Sequence, residues 1–237
     1  MRLAGRLAAA GAVLAIPSLA WAGGPPLPLA PTGALQMALL LGAASLIPAI
    51  VLTCTCFTRF IIVFSFLRTG LGTQGAPPNQ VLVGLALFMT MFVMAPVAQA
   101  LRTDAISPYL AGKLDEEQAL EAATPALRTF LLSHTRRNDL ALFYDVSRSA
   151  RPRTADDVPL RIAVPAFVLS ELRTAFEMGL VVLLPFLVID LLVASVLSSL
   201  GMAMVPPVAV SMPVKLLVFV TVDGWHLLVE SLLRGMA

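Results

Sequence analysis

The stretch that decides the fold is residues 178–207, MGLVVLLPFLVIDLLVASVLSSLGMAMVPP. From Met178 to about Leu200 it holds one charged side chain, Asp190, and it exceeds the ~20 residues a helix needs to cross the hydrocarbon core. The run then stops. Gly201 supplies backbone freedom, Met202, Ala203 and Met204 form a soft apolar turn, and Pro206-Pro207 bar the helix from continuing. Methionine is unbranched and polarizable, so such a turn suits either burial among neighbours or a seal against an irregular object. A return segment from Val214 to about Leu233, carrying Lys215 and Asp223, completes an apolar hairpin over 178–237.

Outward from this hairpin the same pattern recurs. Residues 35–58 carry no charge, Arg59 and Arg68 follow, and a second apolar run covers about 79–100, giving a first hairpin over 35–101. The chain of 237 residues is 58% hydrophobic and 13% charged, against roughly 25% charged in soluble domains. Of its 30 Asp, Glu, Lys and Arg, 21 lie between Arg102 and Glu177, so the polar residues form one insert, 102–177. The expectation is an all-α integral membrane protein with four hydrophobic segments, paired as two helical hairpins on either side of a helical insert. A net charge of +2 gives no reason to expect nucleic acid.

Residues 1–22 read as a signal peptide: Arg2 and Arg6, an apolar core from Leu7 to Ile16, and the small-x-small site Ala20-Trp21-Ala22. Residues 23–34 then read as a flexible periplasmic leader. Arg59 and Arg68 in the first short linker, and Lys215 beside the second, place both linkers in the cytoplasm by the positive-inside rule. The insert, with ten basic and eleven acidic residues, and both mature termini then face the periplasm.

Within the insert, Ala111 to Ala123 has helical composition, and Thr124-Pro125 resembles an N-cap with proline at the first helical position. Residues 151–159 read as a loop. Val164-Pro165 restarts a helix that runs straight into the third apolar segment. No strand pattern and no internal repeat stand out.

The search for chemistry returns little. Cys54 and Cys56, two apart on a helix, point about 200° away from each other and read as packing residues. Two histidines, at 134 and 226, and the lack of HExxH, CxxC, GxSxG or a phosphate loop support neither metal, cofactor nor enzyme. Intramembrane charges say more, because each costs about 2.5–3.5 kcal/mol at mid-bilayer. Counted from a turn at 204–207, Asp190 and Asp223 fall level with one another, which would suit a proton-linked transporter. Lys215 falls much nearer the turn, so its partner is expected on another helix or another subunit. A transporter would usually also show more spans or an inverted repeat.

Three blocks resemble one family. Arg59 to Val97, RFIIVFSFLRTGLGTQGAPPNQVLVGLALFMTMFVMAPV, is similar to the first hairpin of the flagellar export-gate family FliP. Thr135 to Phe143, TRRNDLALF, resembles a motif of that family's insert, and VPAFVLSELRTAF, LPFLVIDLLVASVL, LGMAMVPP and KLLVFVTVDGW its second hairpin. The injectisome counterpart SctR shares much of this, but the signal peptide and NQVLVGLALF look flagellar. The resemblance implies a non-enzymatic subunit, pentameric, assembling with FliQ, FliR and other membrane proteins of the export apparatus. That ring forms the inner-membrane gate of the basal body, in contact with lipid, through which unfolded rod, hook and filament subunits pass. It implies a pore gasket at Met202, Ala203 and Met204, where the family's middle residue is usually methionine. It also implies a charged contact between subunits at Glu171 and Lys215, and a structural or gating role for Asp190.

Overall fold

The computed structural model describes residues 33, 37, 38, 41, 42, 45 and 47–236, less 74, 151 and 203. The expected signal peptide, the leader apart from Gly33, and Ala203 of the turn lie outside the described residues. Contacts divide the chain into two units at Ser45–Leu46, and the second, from Leu46 onward, carries the architecture. Among the described residues it is helical without strands: α1 (Ile47–Cys54), α2 (Phe57–Leu71), α3 (Asn79–Val93), α4 (Ala95–Leu101), a π-helical segment (Arg102–Ile106), α5 (Ser107–Leu110), α6 (Glu116–Ser133), α7 (Arg137–Ser147), α8 (Leu160–Ser199), α9 (Pro207–Thr221) and α10 (Gly224–Arg234).

The organising element is α8, 40 residues long. At 1.5 Å per residue it extends about 60 Å, twice the hydrocarbon thickness of a bilayer. Its apolar second half, from Met178, is long enough to cross a membrane, while its first half carries Arg161, Glu171, Arg173 and Glu177. The expected continuity of insert and third segment is thus realised in one helix, which passes Pro165 and Pro185 without ending. Three bent pairs are apolar enough to count as further spans: Pro48–Cys54 with Phe57–Leu71, Asn79–Val93 with Ala95–Leu110 at 57°, and Pro207–Thr221 with Gly224–Arg234 at 63°.

α2 runs along α8, and the core lies between them. Phe57, Phe60, Val63, Phe64, Leu67 and Leu71 recur every three or four residues, placing them on one buried face of α2. The matches rise together along both helices, Arg59 with Glu171 and Gly70 with Phe186, so α2 and α8 are parallel. Lipid tails are as apolar as leucine, so close packing over small residues, rather than exclusion of water, holds such a pair in a membrane. Glycines on both helices meet phenylalanine rings of the other: a Cβ on Gly70 would come within 2.5 Å of Phe186. α3 folds back on α2 after Gly72, a left-handed C-cap at φ 70°.

The helix carrying Arg59 and Arg68 corrects the expected short linker: both residues lie on α2, and Arg59 is 4% exposed. The insert also begins its long helix earlier than Thr124. Asp115 caps α6, accepting from the Gln118 amide at 2.8 Å while Gln118 Oε1 accepts from the Asp115 amide at 3.1 Å. Thr124 therefore sits mid-helix, its hydroxyl donating to Leu120 O, and Pro125 is accommodated inside.

Candidate functional site

The methionine turn is built by its backbone. α8 ends at Ser199 with Leu200 as C-cap, and Gly201 takes φ 73°. The Gly201 amide donates to Ser198 O at 3.1 Å and the Met202 amide to Leu197 O at 3.0 Å, the paired bonds of a Schellman motif. The Val205 amide donates back to Met202 O at 3.2 Å, closing the turn. Pro206 then caps α9 and Pro207 occupies its first turn, where a missing N–H costs nothing. Pro206-Pro207 thus restart a helix as well as preventing the old one from continuing. The turn projects its side chains: Met204 is 96% exposed and Met202 45%.

Behind the turn lies a charged cluster among apolar helices. Lys215 on α9, 2% exposed, donates from Nζ to Asp190 Oδ2 at 2.6 Å and to Gly70 O at 2.9 Å. Ser211 Oγ donates to Asp190 Oδ1 at 2.5 Å. The bond to Gly70 O reaches another helix, as expected, but the charged partner is Asp190 within Lys215's own hairpin, which corrects the expected register. The turn occupies residues 200–206, so register counts from helix ends rather than from the prolines. Asp190 lies nine residues before the end of α8 and Lys215 eight after the start of α9, which makes them level. Phe186 and Phe219, with ring centroids 6.3 Å apart, continue the same antiparallel register.

Asp223 accordingly is not level with Asp190. It is exposed, at φ 52°, in the break between α9 and α10, about two helical turns beyond the Asp190–Lys215 pair. The two carboxylates expected to face one another are apart, and Asp190 already has a cation.

Glu171 also has its own partner. Arg59 holds it in a two-pronged ion pair, with Nε to Oε2 at 2.8 Å and Nη2 to Oε1, both side chains almost wholly buried. Arg59 Nη1 donates to Gly235 O at 3.0 Å, joining α2, α8 and the end of α10. Within the chain Glu171 and Lys215 do not meet, and a contact between them across subunits would require both to leave these partners. Sequence reasoning missed Arg59 because a lone arginine after an apolar run reads as a linker.

The TRRNDLALF block is where the insert docks on α8. The Arg136 amide donates to Ser170 Oγ at 3.0 Å, and that hydroxyl donates to Asp139 Oδ2 at 2.6 Å. A residue of α8 therefore caps α7, whose own N-cap side chain makes no such bond. Outside the apolar segments, Arg136 and Arg173 both donate to Glu177. These bonds, Arg136's foremost, hold its carboxyl well below the usual range, at about 2. Cys54 and Cys56 are free and buried at the junction of α1 and α2, in packing positions.

The fold and the turn define an all-helical protein with a helix of membrane-crossing length, whose apolar hairpin ends in exposed methionines over a buried lysine paired with a half-buried aspartate. The FliP family profile matches residues 40–232. The chain is 48% identical over 200 residues to the flagellar biosynthetic protein FliP of Bacillus subtilis (strain 168), covering 84% of this chain and 90% of that protein. It is also 48% identical over 204 residues to the FliP proteins of Caulobacter vibrioides, at 84% and 77% coverage, and Pectobacterium carotovorum, at 86% and 79%. The chain belongs to the FliP family, the flagellar biosynthesis proteins of the export apparatus.

Proposed function

We propose that the chain is a ring-forming subunit of the flagellar protein export gate in the inner membrane, assembling as a pentamer with FliQ, FliR and further membrane proteins of the apparatus. Unfolded rod, hook and filament subunits pass through the pore, and the turn at Met202, Ala203 and Met204 seals it between passages. The insert and mature termini stand on the periplasmic side, with signal-peptide export of the N-terminus. It is a conduit rather than an enzyme.

The observation that carries this reading is the turn itself. A Schellman-terminated helix end presents Met204 almost fully exposed at the tip of an apolar hairpin, where a lone subunit gains nothing from it. Flexible thioethers from several subunits can meet around an irregular chain and part at little cost. The test is cysteine at 202 or 204 in the assembled complex. Cross-links between subunits, or to a stalled export substrate, are expected. If neither forms in a complex that still exports, the turn does not line the pore.

A further inference from the structure

The α8–α9 hairpin has two weak points at about the same height, one inside the unbroken α8 and one just past α9. On α8 it is Pro185, which has no N–H for Val181 O and so removes one rung of the helix. Opposite, the chain breaks between α9 and α10 at Asp223, a non-glycine residue in the left-handed region, with a 63° bend. Gly224 follows under the Phe219 ring, which a Cβ there would approach to 2.3 Å. Pro185, Val222 and Gly224 line one apolar cleft of about 410 Å³. Pro185 and the break at Asp223 therefore border the same open cleft.

Between them lies an arm, residues 186–221, that is tied within itself. Asp190 with Lys215, Asp190 with Ser211, and Phe186 against Phe219 are all internal to it. Among the described residues its polar tie to α2 is one bond, Lys215 Nζ to Gly70 O, alongside the packing of Phe186 on Gly70 and the closeness of Val208 to Gly72. The bond falls on the C-terminal end of α2, where carbonyl groups and the helix dipole favour a cation.

The geometry points to a gating arm: residues 186–221 pivot at Pro185 and at Asp223-Gly224, and Lys215 latches the arm to Gly70 O when the gate is closed. This deepens the export-gate reading and rests on it. The latch can release without stranding a charge, because Asp190 travels with Lys215. An apolar residue at 215 would have no hold on α2. A lysine without Asp190 would have no company once released. Lys215 is thus a positioning residue for the methionine turn, about two helical turns behind it.

The test compares two double variants in the assembled export complex, Asp190→Asn with Lys215→Met and Asp190→Asn with Lys215→Gln. Both remove both charges, but glutamine keeps a donor for Gly70 O. Small-ion leakage through the methionine variant should exceed that through the glutamine variant about fivefold, the worth of one neutral hydrogen bond, with both above wild type. Equal leakage from two assembled variants overturns the latch. Should either fail to assemble, spin labels on Gln80 and Val208 of the otherwise native complex decide it. Their separation increases when a substrate is stalled in the pore, and an unchanged separation overturns the arm. Cysteine at 204 in the same stalled complex tells the failures apart. A cross-link to substrate leaves the gate reading standing even if the arm falls, whereas no cross-link removes both.

Discussion

Phe66 of α2 lies directly over Gly179 of α8, so closely that a single Cβ at 179 would sit 2.4 Å from its ring. Four residues further along α2 the arrangement is reversed, and Gly70 receives Phe186 of α8. The two contacts interlock the parallel pair from both sides.

Gly179→Ala should therefore destabilise the subunit by about 1–3 kcal/mol, the usual cost of overpacking. Phe66→Leu in the same chain should recover part of it. The midpoint of thermal unfolding in detergent measures both. A Gly179→Ala protein as stable as wild type would show that the crossing is looser than described.

The Arg59–Glu171 pair should behave as a buried pair does. Arg59→Met or Glu171→Gln alone should cost about 3–5 kcal/mol, because each leaves its partner stranded. The double variant, Arg59→Met with Glu171→Gln, should cost less than the sum of the two. Additive losses would mean that the two groups act separately.

Charge exchange separates the partner found for Lys215 from the one expected. Lys215→Glu should impair folding and assembly, and Asp190→Lys should restore them in part, since the two face each other at 2.6 Å in the native chain. Glu171→Lys should give no rescue. The reverse pattern, read from the yield of assembled complex, would favour a contact between subunits.

Gly201 is held at φ 73° with open space around it, so conformation rather than crowding limits what can replace it. Gly201→Asn should be nearly neutral and Gly201→Ala should cost about 1 kcal/mol. Gly201→Val, β-branched in a left-handed position, should disturb the turn most and raise ion leakage with it.

Met204, the more exposed methionine, should matter more to sealing than Met202. Met204→Ala should raise small-ion leakage while leaving assembly unchanged, and Met202→Ala should do so less. Equal effects would mean that exposure in the single chain does not report which residue reaches the lumen.

Some of this was legible from residues alone. Glycine after a helix and proline pairs before the next have strong local consequences, so the existence of the turn, though not its extent over 200–206, is legible directly. The unbroken helix from the insert into the third segment was also legible, because apolar periodicity continues through it. The position of Arg59 was not: burial of a charge depends on a partner 112 residues away, which no local pattern carries. The level of Lys215 was misread because the turn is seven residues wide rather than centred on its prolines. The break at Asp223 has a local signal, the Asp223-Gly224 dipeptide that often marks a turn, but the apolar run on both sides hides it.

The parallel run of α2 and α8 also bears on how the protein is made. Arg59 is synthesised 112 residues before Glu171, and at ~5–20 residues per second it waits roughly 6 to 20 seconds for its counter-charge. During that interval α2 has α3 beside it but lacks α8, which leaves part of its row of phenylalanines uncovered and the guanidinium without its carboxylate. A nascent chain in this state depends on whatever inserts it to shield the arginine. Chains halted before residue 171 should therefore be degraded faster than chains halted just after it, as pulse–chase labelling would show.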